Sequence, residues 1–269
     1  MKIAALQMTS GLEVRANLAT AGRLLEAAAA AGAGFAVLPE NFAFMGVGER
    51  DKLGVAEDDG DGPVQEFIAA QARGLRLTVV AGTMALRVPG ETRVAAASLV
   101  YGTDGGRLGR YDKMHLFDVD VPGHAERYRE SAGTVPGTAV VVVDTPAGRA
   151  GLSVCYDLRF PELYRRMTAL GADFMVVPAA FTVPTGMAHW DVLLRARAIE
   201  NLCHVVAAAQ SGGHANGRHT YGHSLVVDCW GEVLERLPDG EGCVIAEMDL
   251  DRQRTLRAGF PALQHRVLT

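Results

Sequence analysis

Aromatic residues are scarce in this chain, at 6%, although 49% of it is hydrophobic. Its core must therefore be aliphatic and alanine-rich, which suits many strands covered by helices. Cysteine is sparser still. Cys155, Cys203, Cys229 and Cys243 are spread with no C-x-x-C pair, so neither a disulfide framework nor a zinc ribbon is indicated, and reduced thiols are expected. An excess of positive charge is missing too: 26 Lys and Arg face 31 Asp and Glu, for a formal net charge of -5. This argues against nucleic acid as the partner and favours a small molecule. No run approaches membrane-spanning length, and the opening MKIAALQMTSG lacks a long apolar segment. A cytoplasmic protein with no membrane partner is the expectation. No linker divides the sequence, so one domain over 1–269 is expected.

What is present is an alternation of strand and helix signals. Lys2–Met8 reads as a strand and Val14–Ala31 as a helix, with Leu18, Leu24, Leu25 and Ala28 near one face and Gly32 and Gly34 at its end. Phe35–Leu38 is a short buried strand. Pro39 stops it and sets Glu40 just past its carboxyl end, where open α/β sheets gather their chemistry. Residues 46–62 read as a surface loop, Pro63–Arg73 as a helix capped by Gly74, and Leu77–Gly82, Val94–Tyr101 and Arg107–Asp112 as strands. Lys113 follows the last of these, and Met114–Pro136 has no clear period. Further on, Phe174–Pro178 and His204–Ala209 read as strands around a helix at Ala188–Leu202. Tyr221–Trp230, Gly231–Leu237 and Gly242–Met248 read as a β-meander before an extended tail. Gly32, Ala33, Phe35, Val37, Pro39 and Phe42 match Gly171, Ala172, Phe174, Val176, Pro178 and Phe181 at identical offsets. This weak repeat suggests two similar α/β halves whose strand ends face a common cleft.

The stretch Val140–Leu170 carries the sharpest chemistry. Val140–Val143 and Ala150–Val154 read as buried strands joined at Pro146-Ala147-Gly148, and Pro161 opens a helix that Gly171 closes. Cys155 is thus presented on a strand-to-helix turn, beside backbone N–H groups able to receive an oxyanion. A buried structural cysteine would fit this stretch equally well. Glu40, Lys113 and Cys155 each stand where a predicted strand runs out. A thiol attacking an amide needs a base, donors for the developing oxyanion and an acid for the departing nitrogen, and a carboxylate, an ammonium and a thiol can between them supply all three. On this reading the ammonium lowers the thiol's pKa.

The segments LPENF (38–42), YDKMHLFDVDVPG (111–123), SVCYDLRFPELYR (153–165), PAAFTVPTGMAHWDVLLRARAIEN (178–201) and YGHSLVVDCWGEVL (221–234) resemble the nitrilase, or carbon–nitrogen hydrolase, superfamily in matching order from Lys2 to about Arg266. The resemblance implies an α/β fold, a four-layer α-β-β-α sandwich, and at least a homodimer. It also implies hydrolysis of a non-peptide C–N bond without a cofactor or a metal. Glu40 would be general base and acid, Lys113 would stabilise the tetrahedral intermediate, and Cys155 would form a thioester. A second glutamate would come from the loop after the lysine, with Glu130 preferred and Glu126 the alternative. Tyr156 would offer its N–H to the oxyanion, Phe42 and Phe181 would wall the pocket, and Arg159 and Glu162 would brace the nucleophile turn. Within the superfamily, PENFAFMG, CYDLRFPEL, YGHSLVVD and FPALQHR look most like the deaminated glutathione amidases, while the HLFDVDVPG loop is shared with the omega-amidases. A catalytically silent binding protein of the same fold is the remaining alternative. His214, His219 and His223 lie close in sequence but have no carboxylate or thiol partner at a ligand spacing, and His115 reads as a supporting group.

Overall fold

The computed structural model describes residues 1–121, 123 and 126–268. Pro122 of the HLFDVDVPG segment, His124 and Ala125 of the loop after it, and Thr269 lie outside the described residues. In chain order the first half runs β1 (Lys2–Gln7), α1 (Val14–Ala30), β2 (Phe35–Val37), α2 (Pro63–Leu75), β3 (Thr78–Val80), β4 (Met84–Arg87), β5 (Val94–Tyr101) and β6 (Arg107–Asp112). Short strands β7 (Asp118–Asp120), β8 (Arg127–Arg129) and β9 (Thr134–Val135) follow. The second half runs β10 (Val142–Thr145), β11 (Gly148–Leu152), α3 (Pro161–Ala169), β12 (Phe174–Ala179), α4 (Val183–Asn201) and β13 (His204–Ala209). It ends with β14 (Ser211–Gly213), β15 (His219–Tyr221), β16 (Ser224–Val227), β17 (Val233–Leu237), β18 (Gly242–Glu247) and α5 (Leu250–Gly259).

Two sheets result. One has the order β18-β1-β2-β3-β5-β4, with β6 and β9 also paired to β5, and the other the order β10-β11-β12-β13-β16-β17. β1 to β3 run parallel, as do β11 to β13. Strands β12 and β13 are buried along their whole length, which is why they read as the unbroken apolar runs FMVVPA and HVVAAA. Helices α1 and α2 cover the outer face of the first sheet through Leu24, Leu25, Ala28, Ile68 and Ala72. Trp190, Leu194 and Ala198 of α4, with Leu163 and Met167 of α3, cover the second. The inner faces meet each other, and the fold is the four-layer α-β-β-α sandwich that the sequence resemblance implied.

The internal repeat holds in three dimensions. Gly32 and Gly171 both have φ of +86° and close α1 and α3 with the same pair of bonds. Gly32 N–H donates to Ala29 O and Ala33 N–H to Ala28 O, as Gly171 N–H does to Thr168 O and Ala172 N–H to Met167 O. A left-handed residue at this position is the usual way to satisfy the last carbonyls of a helix. The matched residues Phe35 and Phe174 meet between the sheets edge to face, with centroids 5.2 Å apart and planes at 86°.

Several boundaries differ from expectation. The chain after Tyr221 breaks at Gly222 and His223, both in the left-handed region, before β16 begins. No three-stranded meander forms, because β17 pairs with β16 whereas β18 crosses to pair antiparallel with β1 in the other sheet. The expected extended tail contains α5, whose Asp249 caps it by accepting from the Arg252 N–H at 2.9 Å. The expected loop Met114–Pro136 holds β7, β8 and β9, β4 lies in a stretch with no expected strand, and α4 starts at Val183 with Pro184 in its first turn. Strand β11 ends at Leu152, two residues before the expected end, and β10 is shifted to Val142–Thr145. Helix α2 runs past Gly74 and is closed by Arg76 in the left-handed region.

Candidate active site

Glu40 lies three residues beyond β2. Leu38 N–H still donates to Val80 O, and Gly82 follows, where a Cβ would stand 1.9 Å from Pro39 O. Only glycine permits that approach, which fixes the path into Glu40. Lys113 follows β6 directly, its N–H donating to Ala96 O at 3.0 Å. The residue is 1% exposed. The ammonium donates to Glu40 Oε1 at 2.8 Å and to Glu130 Oε1 and Oε2 at 3.0 and 2.8 Å, so two carboxylates hold it in place. Glu130 is held in turn by the Phe117 N–H at 2.7 Å. Glu126 instead accepts from Tyr128 Oη, so of the two glutamates weighed from sequence it is Glu130 that meets Lys113.

Cys155 opens a one-turn 3-10 helix, Cys155–Arg159, with φ of +48°. A non-glycine residue held there stores strain of order 1–3 kcal/mol. The buried Asp157 holds the turn in place. It accepts from Tyr111 Oη at 2.7 Å, Val154 N–H at 2.8 Å and His115 N–H at 3.0 Å, and His115 Nδ1 lies 2.7 Å away. One carboxylate therefore ties the cysteine turn to the strand that carries Lys113. No hydrogen bond from the Tyr156 N–H is found among the described residues, which leaves it free for a developing oxyanion.

The electrostatics correct one expectation. Burial and the Glu40 carboxylate push the Cys155 thiol up, outweighing Lys113 and a bond from the Ala180 backbone. The lysine alone would have lowered it, but its charge is answered by two carboxylates, so the resting thiol keeps its proton. Burial acts to lower Lys113, yet Glu130, Glu40 and Cys155 together hold it well above the ordinary lysine range. Burial likewise acts to raise Glu130, but Lys113 and Lys52 outweigh it and hold the carboxyl below its usual range.

A narrow cavity of about 10 Å³, room for roughly one water, stands over Cys155. Phe117, Tyr156, Arg159, Phe181 and Arg218 line it. Beyond it opens a mouth of about 400 Å³ lined by Phe44, Gly46, Lys52, Tyr128, Asn216 and Arg218. The expected wall residue Phe181 is present, but Phe42 is not: its ring is wholly buried with the cluster under α1 and α2. Arg159, expected only to brace the turn, faces the cavity with its guanidinium 5.5 Å from the Phe181 ring centroid and 5.8 Å from that of Tyr156. Glu162 does not line it. Arg218 lies in the loop 211–220, whose Gly and polar content suits, with that of 43–60, the lining of an open mouth, but nothing in its aperiodic sequence marks Arg218 itself. The nearby histidines have other partners: His214 bonds Ser10 O and Thr220 Oγ1, and His223 bonds Tyr221 O. A separate groove of about 1000 Å³ along Arg87, Arg93, Arg110 and Asp112 contains none of the three groups.

The fold is similar to solved structures. The Caenorhabditis elegans NitFhit protein superimposes with a TM-score of 0.92 at 40% identity, covering 99% of this chain and 65% of that longer one. A mutant amidase from Nesterenkonia sp. AN1, with glutamine in place of a glutamate, superimposes with a TM-score of 0.76 at 25% identity over 97% of this chain and 98% of that one; its active-site cysteine shows Michael addition of acrylamide. In sequence, the deaminated glutathione amidase of Synechocystis sp. is 45% identical over 98% of this chain and 97% of its own length. The profile of the carbon-nitrogen hydrolase family matches residues 2–258, and the chain belongs to that family as a hydrolase of the amidase kind.

Proposed function

We propose that this amidase hydrolyses deaminated glutathione to α-ketoglutarate and cysteinylglycine through Glu40, Lys113 and Cys155. The observation that carries the chemistry is the buried ammonium of Lys113, bonded to Glu40 and Glu130 and electrostatically coupled to the Cys155 thiol. The near full-length likeness to deaminated glutathione amidases supports the substrate.

Because the resting thiol is protonated, attack on the amide carbonyl and loss of the thiol proton go together, with Glu40 receiving it. The oxyanion forms against the Lys113 ammonium and the Tyr156 N–H. As the tetrahedral adduct collapses, Glu40 returns its proton to the departing nitrogen, the C–N bond breaks, and an acyl thioester stays on Cys155. Water then attacks the thioester with Glu40 again accepting a proton, which it gives back to the leaving sulfur. Glu130 keeps Lys113 in place and charged throughout. Arg159, beside Tyr156 and Phe181, takes the carboxylate of the acyl group. On the same reading the chain is one hydrolase domain and works as a homodimer, which is supported by the exposed apolar residues Val192 and Ile199, seven apart on one face of α4, and Leu170 after α3.

The test compares kcat/KM for deaminated glutathione with that for α-ketoglutaramate. The first exceeds the second by well over about tenfold, more than about 1.4 kcal/mol of transition-state binding. Equal or reversed values transfer the assignment to an omega-amidase. An acyl adduct on Cys155, seen by mass spectrometry, tests the thioester.

A further inference from the structure

Two cavities meet at one side chain. Arg218, on the loop from β14 to β15, lines both the narrow cavity over Cys155 and the mouth outside it. Its guanidinium carbon lies 4.9 Å from the Tyr128 ring centroid, and its Nη2 donates to the Ala180 carbonyl. Its buried Nε–H has no acceptor among the described residues. The other cations of the mouth are engaged: Lys52 with Glu49 and Thr134, Arg127 and Arg129 with Asp120. No carboxylate of the described residues pairs with Arg218. A buried guanidinium donor left unpaired is costly, and the flat edge formed by Nε–H and a neighbouring Nη–H is the group that takes a carboxylate in two parallel bonds.

Resting on the substrate reading above, we propose that Arg218 is the specificity-determining residue for the leaving group. It binds the terminal carboxylate of the departing amine half and so selects a dipeptide-like leaving group over ammonia. Reach supports this. From the scissile nitrogen to the terminal carboxylate is two residues, at most about 7 Å when extended, which suits a cation shared by the cavity and its mouth. The charge count agrees: a substrate with a carboxylate at each end needs two cations, Arg159 and Arg218, whereas one that expels ammonia needs only the first. Binding energy from this remote carboxylate is available to the transition state, so its loss lowers kcat as well as raising KM.

The experiment measures kcat/KM of the wild type, Arg218→Lys and Arg218→Met with deaminated glutathione, its C-terminal amide, and α-ketoglutaramate. The wild type favours the acid over its amide by about 30-fold, as expected for hydrogen bonds to a charged group. Arg218→Met brings that ratio to within about threefold, and Arg218→Lys retains part of it. Arg218→Met also costs deaminated glutathione at least about tenfold more than it costs α-ketoglutaramate, which guards against a merely misfolded variant. If the wild type prefers deaminated glutathione but treats acid and amide alike, or if Arg218→Met slows both by one factor, the role of Arg218 is overturned while the substrate reading stands. A wild type with no preference for deaminated glutathione over α-ketoglutaramate overturns both.

Discussion

Replacing Glu40 by glutamine should make Cys155 more reactive toward an alkylating agent while removing most of the amidase activity. The carboxylate does two things to the thiol: it stands ready to accept its proton, and its charge holds that proton on. Two unit charges about 4 Å apart at an effective dielectric of about 20 interact by about 4 kcal/mol. At 1.36 kcal/mol per unit, the substitution lowers the thiol's pKa by about three units. The thiolate population then rises about 10³-fold at a fixed pH near neutrality, while each thiolate becomes about 30-fold less nucleophilic along a Brønsted slope near 0.5. The net expectation is alkylation of Cys155 by iodoacetamide about 30-fold faster than in the wild type, read by peptide mass spectrometry. Over the same pair of proteins kcat/KM should fall by at least about 10²-fold, as for loss of a general acid–base group. Lys113 keeps Glu130 as its partner in the variant, so the ammonium remains in place. An unchanged or slower alkylation rate would refute the claim that the Glu40 charge keeps the thiol protonated. A nearly normal amidase rate would show that another group carries the proton.

Asp157→Asn should cost about 3 kcal/mol or more in urea denaturation, because an amide cannot accept from Tyr111, Val154 and His115 together; a loss under about 1 kcal/mol would show the turn is held otherwise. Glu130 sits below its ordinary value when folded, so its contribution is present above the unfolded value near 4.3 and is lost as pH falls through the folded one. Glu130→Gln should therefore flatten the acid limb of a Tm-against-pH curve, and an unaltered limb would remove Glu130 from that account. Cys155 is shifted up, so above about pH 8.5 the unfolded chain loses its proton first and stability declines. Cys155→Ala should make that alkaline decline shallower by calorimetry. Val192→Asp with Ile199→Asp should convert a dimer to a monomer in light scattering at micromolar concentration; a wild type already monomeric there would contradict the assembly reading.

Much of the site was legible because each of its three groups stands just past a recognisable strand: the apolar FAV before Glu40, RLGRYD, which returns in a hairpin from the buried run VAAASLVY, before Lys113, and the small-residue strand GRAGL before Cys155. The α1-to-β2 and α3-to-β12 joints were equally plain, since glycine, aromatic and proline recur at fixed offsets. What escaped depended on partners distant in sequence. β18 reads as the third strand of a meander, and only its pairing with β1, from Lys2 opposite Glu247 to Gln7 opposite Gly242, takes it to the other sheet. α5 buries Gln253 rather than an apolar stripe, and that side chain serves His204 and Asp173 instead. The thiol's upward shift was hidden for a related reason: burial, its largest cause, and the charge of Glu40 both come from parts of the chain distant in sequence from Cys155.

The edge-to-face contact of Phe35 with Phe174 has a consequence for rate. Glu40 and Lys113 issue from one sheet and Cys155 from the other, so the gap across which the proton travels is an inter-sheet distance, and the two rings help to set it. The hydrophobic core thus acts as a gauge block for the chemistry. Since a misplacement of about 1 Å can cost about 10²-fold in rate, trimming either ring to leucine should lower kcat at a site that neither side chain touches.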